Sequence, residues 1–293
     1  MLPEDFSPYR ETKTHGRQGF AYNTYLCTIP LDFMRVRAHW HDEMEFIYIK
    51  KGAGCVTVDR VAYPVGAGSI VIVAPGRLHA IDGAANSRME YENIIFSPEI
   101  LDTPESDWCR EAVVRPLCEG RLALPVLLTA GDALYAGVSA ALDAADAATA
   151  KAAPGYPLLV KSALFRLLYL LYGADTGLAD TPAADTGTAR LKGVLSYIEA
   201  HYAEHITVAD AAAAAHYSTA HFMRFFRAGT GQSFIEYLND HRLAAAARLL
   251  QQHAQPVSEI AQACGFDSAS YFCRRFGEKY GMSPRAWREK QTG

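Results

Sequence analysis

Tyr217-Ser-Thr-Ala-His-Phe-Met-Arg-Phe-Phe226 and, fifty positions on, Asp267-Ser-Ala-Ser-Tyr-Phe-Cys-Arg-Arg-Phe276 are two copies of one segment. Ser218, Phe222, Arg224, Phe226, Gly231 and Ser233 recur as Ser268, Phe272, Arg274, Phe276, Gly281 and Ser283. Slightly upstream, Val208, Asp210, Ala212 and Tyr217 match Val257, Glu259, Ala261 and Phe266 at an offset of forty-nine. Two copies make a duplicated module and not a solenoid, which needs about three units or more. In each copy a short Ala-rich helix is opened by Thr207 or Ser258. A tight turn follows at His216-Tyr217 or Gly265-Phe266, and a second helix is capped by Ser218 or Ser268. A serine there can accept the orphan N–H groups of the first helical turn. Two short helices joined by such a turn form a helix-turn-helix.

In the second helices Phe222, Phe225 and Phe226, like Phe272 and Phe276, fall on one face and anchor it. The opposite face carries Thr219, Ala220, Met223, Arg224 and Arg227 in the first copy, and Ala269, Ser270, Cys273, Arg274 and Arg275 in the second. Small side chains permit close approach to a major groove, and an arginine can fork onto guanine O6 and N7. The stretch from Phe234 to His253 keeps Leu238, Leu243, Ala246, Leu249 and Leu250 at helical spacing, a strut between the modules. It would set two recognition helices about 34 Å apart, one turn of DNA. The run Gly265 to Phe276, followed by Gly281-Met-Ser-Pro-Arg-Ala-Trp-Arg288, closely resembles the C-terminal signature of the AraC/XylS family of bacterial transcription regulators. Thr230 to Leu238 and Arg242 to Leu250 resemble its central segment. The resemblance implies a seven-helix, two-module domain whose third and sixth helices read bases. The base-facing positions it carries over are Thr219, Ala220, Met223 and Arg224, then Ala269, Ser270, Cys273 and Arg274. His216 departs from it by standing at the usual turn glycine, and Ala220 and Ala269 are small where some relatives have larger polar groups. Readout would then lean on the arginines, backbone contacts and DNA shape.

Outward from this module the composition changes. Residues 173–189 are small, polar and turn-forming, an exposed linker. The chain of 293 residues has a net charge of −4, which conceals an asymmetry. Residues 190–293 hold 12 Lys and Arg against 9 Asp and Glu, whereas residues 1–189 hold 16 against 23. A −7 half is thus joined to a +3 half that also has six of the ten histidines. The six cysteines include no Cys-x-x-Cys pair and suit free thiols in a reducing compartment. Met1-Leu2-Pro3-Glu4-Asp5 lacks the basic-then-apolar order of a secretory leader. The most apolar stretch, Pro157 to Tyr172, carries Lys161 and Arg166 and falls short of the ~20 residues of a membrane span. The expectation is a cytoplasmic protein with no membrane partner.

Residues 20–96 read as β structure. Glu45 to Ile49, Gly54 to Asp59 and Ser69 to Val73 are β-branched and aromatic runs, punctuated by Gly52, Gly54, Pro64, Gly66, Gly68, Pro75 and Gly76. Short strands at such spacing suggest a sandwich or small barrel. Residues 104–172 turn helical, over Trp108–Glu119, Ala130–Ala150 and Tyr156–Tyr172. The last keeps Leu159, Ala163, Leu164, Leu167, Leu170 and Leu171 as an apolar stripe, wide enough to cover the barrel and to seat a second copy of the chain.

Within the β region stands His39-Trp-His41-Asp-Glu-Met-Glu45, and later Pro75-Gly-Arg-Leu-His79. Residues an even number apart on a strand point to one side, so His39, His41 and Glu45 project together if no bulge intervenes. With His79 they form a three-His, one-carboxylate set suited to Zn, Ni, Mn or Fe. The pattern resembles the two motifs of the cupin superfamily, from which it departs where Pro75 directly precedes Gly76 and Gly83 replaces a polar residue. An alternative use of the same residues is polar anchorage of a small organic effector such as a sugar. His39, His41, Glu45, Tyr48, Arg77 and His79 are the candidates for that, whereas alternation turns Trp40 and Phe46 away.

The expected architecture is α+β and multidomain. A cupin-like β-barrel with flanking helices (residues 1–172) precedes the linker (173–189) and an all-α domain with two helix-turn-helix motifs (190–293). The expected activity is sequence-specific binding of double-stranded promoter or operator DNA in response to a small molecule held in the barrel. The protein would act as a homodimer, contacting RNA polymerase if it is an activator. The rival readings are a metal sensor and a metallo-cupin enzyme fused to a DNA-binding domain. No Ser/His/Asp or Cys/His arrangement and no phosphate-binding glycine loop supports the enzyme, so the expectation is a non-enzyme.

Overall fold

The computed structural model describes residues 20–32, 35–84, 88–103, 105–173, 186–252 and 255–291, which divide into two compact units between Thr186 and Gly187. Among the described residues of the first unit nine strands run β1 (Tyr22–Ile29), β2 (Arg35–His39), β3 (Met44–Lys51), β4 (Ala53–Val58), β5 (Val61–Gly66), β6 (Ile70–Val73), β7 (His79–Gly83), β8 (Met89–Phe96) and β9 (Leu127–Leu128). They form two antiparallel sheets, ordered β1-β8-β3-β6-β9 and β2-β7-β4-β5.

Side-chain alternation sorts the apolar residues of β3, β6 and β8 between two buried faces. Ile47, Ile49, Val71, Val73, Met89 and Tyr91 turn inward and meet Val36, Val56, Val58 and Ile81 of the facing sheet. Met44, Phe46, Ile70, Ile72, Ile94 and Phe96 turn outward and are covered by helices. A strand with both faces buried shows no polar alternation, which is why Ile70–Val73 reads as continuously hydrophobic, whereas β3 and β8 carry charged residues toward one end or at mid-strand. Gly52 joins β3 to β4 at φ 77°, and a Cβ there would meet the Arg88 carbonyl oxygen at 2.0 Å, so the hairpin admits glycine alone.

The covering layer is a π-helical turn (Arg110–Val114) running into α1 (Arg115–Cys118), then α2 (Tyr135–Lys151) and α3 (Tyr156–Gly173). The second helix starts later than Ala130, because Asp132 accepts from the Thr129 N–H at 2.6 Å and the Thr129 hydroxyl at 2.8 Å and fixes a turn there. The buried face of α3 is Val160, Ala163, Leu164, Leu167, Leu168 and Leu171, whereas Leu159, counted in the expected stripe, is 62 % exposed. A helix with apolar residues on two faces gives a stripe whose centre the sequence pattern misplaces by one residue.

Seven helices make up the described second unit: α4 (Thr186–His201), α5 (Val208–Ala214), α6 (Thr219–Thr230), α7 (Phe234–Gln252), α8 (Val257–Ala263), α9 (Ala269–Tyr280) and α10 (Pro284–Gln291). The expected linker ran to residue 189, but α4 already starts at Thr186 and buries Gly187, Thr188 and Leu191. Small polar residues look like linker when what they supply is close packing. Residues 174–185 of that linker lie outside the described residues.

Thr207 caps α5 through a reciprocal capping box with Asp210. Ser218 and Ser268 cap α6 and α9, accepting from the backbone of His221 and Tyr271. Ser258 does not open α8: Pro256 holds the N-cap and Ser258 lies inside the first turn. Proline supplies the extended φ that the cap position needs, so the second copy dispenses with a side-chain cap. The strut α7 is tied to both modules. Arg242 donates to the Tyr202 and Glu204 carbonyls at 2.8 and 2.7 Å, and Trp287 Nε1 donates to the Ala247 carbonyl at 3.3 Å.

Candidate functional site

Four ligand-type side chains converge in the first unit. His39 ends β2 and His79 begins β7, and the two are register partners across a bulge that lies between Val36 and His39. Their rings stand 4.1 Å apart, centre to centre. Glu45 is on β3, in the other sheet, with the inward parity of Ile47 and Ile49. His41 belongs to neither strand: residues 41–43 leave the extended conformation, and the turn brings His41 Nε2 to 2.7 Å from Glu45 Oε2. Even spacing from His39 to Glu45 therefore places these residues together for a reason other than simple alternation. His79 Nε2 lies 2.8 Å from the same carboxylate oxygen. One donor atom from each of the four falls within 4.8 Å of the others.

Each imidazole is oriented from behind. Nδ1 of His39 meets the Arg37 carbonyl at 2.8 Å, Nδ1 of His79 the Arg77 carbonyl at 3.0 Å, and Nδ1 of His41 the Glu43 carbonyl at 3.2 Å. A carbonyl only accepts, so Nδ1 carries the hydrogen in all three rings and Nε2 faces the cluster. Burial alone would raise the Glu45 carboxyl. The charge of His79 and the hydrogen bond with His41 overcome it and hold the group well below the usual carboxylate range. Burial, followed by the charges of His79 and His41, pushes His39 well below the ordinary imidazole value. The arrangement can hold a first-row divalent cation or grip the oxygen atoms of a small polar molecule.

Two expected pocket residues go elsewhere. Tyr48 shares the parity of Met44 and Phe46, so it faces the helices, where its hydroxyl meets that of Tyr135 at 3.3 Å and Lys50 lies over its ring. Glu45 and Tyr48 are an odd number apart and cannot share a face. Arg77 sends its guanidinium to Asp59 and serves His79 only through its carbonyl. The backbone groups of Arg37 and Arg77 were not among the expected residues. Their signal in the sequence is the repeated spacing of Arg37-Ala-His39 and Arg77-Leu-His79.

In the second unit α6 and α9 present matching faces. Thr219, Ala220, Met223, Arg224 and Arg227 are exposed on α6, above buried Phe222, Phe225 and Phe226. Ala269, Ser270, Cys273 and Arg274 are exposed on α9, above buried Phe272 and Phe276. The Arg274 guanidinium lies over the Tyr271 ring. The structure takes Arg275 off this face. It occupies the position of Phe225 in the repeat, is half-buried, and pairs with Glu278 at 2.7 Å. At 100° per residue, position 275 is turned toward the module's interior and away from 269, 270, 273 and 274.

A β-sheet domain that could hold a ligand, followed by a doubled helix-turn-helix, defines a DNA-binding regulator that carries its own sensor. Comparison with known proteins bears this out. Residues 25–168 match the AraC-like ligand binding domain, and residues 211–290 match a helix-turn-helix domain. The chain is 25 % identical over 255 residues to the uncharacterised HTH-type transcriptional regulator YdeC of Bacillus subtilis, covering 87 % of this chain and 86 % of YdeC. It is 26 % identical over 262 residues to the HTH-type transcriptional activator RhaR of Pectobacterium carotovorum, covering 86 % of each. The DNA-binding domain of the transcriptional factor AdpA, solved with a target DNA, is 34 % identical over 34 % of this chain and 91 % of that one, with a TM-score of 0.34. The chain is an AraC-family DNA-binding transcription regulator with an N-terminal ligand-binding domain. Among the described residues no helix is long and apolar enough to cross a membrane.

Proposed function

We propose that the chain is an effector-responsive regulator that reads operator DNA through Thr219, Ala220, Met223, Arg224 and Arg227 of α6 and Ala269, Ser270, Cys273 and Arg274 of α9. The sensing site is the inner end of the sheet pair around His39, His41, Glu45 and His79. The observation that carries the DNA reading is the exposure of Arg224 and Arg274 at the same place on two helices with the same cap and the same phenylalanine anchors. A lone exposed arginine is usually solvated surface; duplication in two such frames is what a two-site reader requires.

The protein acts as a homodimer, with α3 as the seam. Leu158, Phe165, Tyr169 and Tyr172 are exposed at intervals of seven, four and three residues, one outward stripe that Trp108 extends by packing edge-on against Tyr172. RNA polymerase is a further partner if the protein activates. Ligand occupancy acts only through a difference in affinity between the DNA-competent and incompetent states. No catalytic role is assigned to the barrel.

The test is affinity for the DNA upstream of its own or a neighbouring gene. Arg224→Ala and Arg274→Ala should each weaken specific binding by about 1–3 kcal/mol while leaving binding to random DNA much less affected. Parent-like affinity in both variants would remove these helices as the readers.

A further inference from the structure

We infer that Tyr271 is a positioning residue for DNA reading: its ring is the platform on which Arg274 rests, and Asn239 of α7 holds that ring in place. The inference rests on the reading of α9 as a recognition helix and names what fixes its arginine.

Residues three apart on a helix are surface neighbours, and helical side chains lean toward the N-terminus. Arg274 therefore covers the turn before it, where its guanidinium carbon stands 5.4 Å from the centre of the Tyr271 ring. Tyr271 is itself pinned. Its backbone N–H donates to the Ser268 cap at 3.3 Å, and its ring packs against Phe266 at 6.3 Å between centres. Its hydroxyl accepts from Asn239 Nδ2 at 3.2 Å. Asn239 is buried and belongs to the strut, so the platform is fixed against α7 as well as within its own helix.

A guanidinium lying on an aromatic face is attracted by the ring quadrupole and gives up no N–H donor in doing so. Its donor edge stays free for guanine O6 and N7, whereas a carboxylate partner would occupy that edge. Arg275 shows the other outcome one residue on, where its Nη1 donates to Glu278 at 2.7 Å. The first module has a different arrangement. His221 stands at the place of Tyr271, with its ring 4.3 Å from that of Tyr217, and among the described residues Arg224 rests on no aromatic ring. Ordering a long side chain in advance removes a cost that otherwise falls on binding. Arg274 is thus the pre-set reader of the pair, and Arg224 orders on contact with DNA.

Full-length protein is titrated with a duplex from an upstream region that the parent binds in preference to random sequence, and with a random duplex. Tyr271→Leu keeps apolar bulk against Phe266 and removes the ring, whereas Tyr271→Phe keeps the ring and frees it from Asn239. Tyr271→Leu should lose specific affinity about three- to tenfold, as expected for one side chain no longer ordered in advance, with random-DNA affinity unchanged. Tyr271→Phe should recover part of that loss. In an Arg274→Ala background neither substitution should weaken binding further, and the phenylalanine cycle stands alone if the leucine variant does not fold. Losses that multiply in the double variant would make Tyr271 a DNA contact in its own right and overturn the positioning role. An equal loss on random DNA, or none in folded Tyr271→Leu, overturns it too. Full recovery in Tyr271→Phe would overturn the part given to Asn239. All of these keep Arg274 as a reader provided that Arg274→Ala alone weakens specific binding. Parent-like binding by Arg274→Ala instead removes the reader, and the inference with it.

Discussion

Asp146 shows what single residues contribute beyond the candidate site. Its Oδ1 accepts from the Thr24 hydroxyl at 2.7 Å and from Tyr22 at 3.2 Å, and it shares a hydrogen bond with Glu92, whose carboxylate also takes Lys50 at 2.7 Å. Burial above all, then Glu92, pushes the Asp146 carboxyl up to about 7, against the opposing hydrogen bonds from Thr24 and Tyr22. The facing charged groups are Glu92 on β8, Lys50 on β3 and Asp143 on α2 itself. A carboxyl raised on folding binds its proton more tightly in the folded state, so stability falls as pH rises from about 4 toward about 7 and then levels. Urea midpoints at pH 5 and pH 8 should therefore differ more in the parent than in Asp146→Asn, which keeps hydrogen-bonding capacity and does not titrate. An equal drop in both would place the proton elsewhere. Nothing in the sequence marks Asp146, because its contacts join a helix to strands far off in the chain, Tyr22 and Thr24 on β1 more than a hundred residues away and Glu92 on β8 more than fifty. The four cluster residues were legible because two short motifs hold them. Tyr48 and Arg275 were misread for one reason: a residue one step off a face looks, in sequence, like a member of it.

At the scale of elements, the two helix-turn-helix turns solve one problem with different residues. Both need a left-handed backbone after the first helix, supplied by His216 at φ 56° and Gly265 at φ 81°. A Cβ on Gly265 would come within 2.6 Å of the Tyr202 carbonyl oxygen and 3.0 Å of that of Ala203, both backbone atoms that cannot swing aside. Gly265→Ala should cost about 1–3 kcal/mol, read as a shift in the denaturation midpoint. His216→Gly should change stability by less than about 0.5 kcal/mol. The relief of left-handed strain, ~1 kcal/mol, is offset by the added freedom of glycine in the unfolded chain. A large loss in His216→Gly would mean that the imidazole makes contacts the backbone argument omits. The repeat made the existence of both turns legible, together with the caps at Ser218 and Ser268. It could not reveal that proline replaces a serine cap on α8, since equivalence between copies invites the same reading twice. Strand β9 escaped notice for a simpler reason: Leu127-Leu128 is too short for any period to show, and pairs with β6 only because the chain passes there.

For the whole molecule the decisive quantity is how many DNA-reading units act together. The −7 and +3 halves leave the recognition helices on a weakly basic unit, and +3 is too little charge to hold DNA by phosphate neutralisation alone. In the proposed dimer, affinity comes from base contacts multiplied by linkage of two copies, which can exceed a single copy's affinity by about 10²–10⁴. The outward face of α3 is the surface available for that linkage, since Phe165 and Tyr169 expose 41 % and 76 % of their area while the opposite face of the same helix is fully buried. A charge pair placed there leaves the core untouched. Phe165→Glu with Tyr169→Glu should shift sedimentation from dimer to monomer at micromolar concentration and keep the parent's thermal midpoint. Its affinity for a full operator should drop at least tenfold, with affinity for a single half-site unchanged. An unaltered sedimentation coefficient would exclude α3 as the seam. A monomeric variant with parent-like operator affinity would instead show that one copy, with its two recognition helices, suffices to read the site.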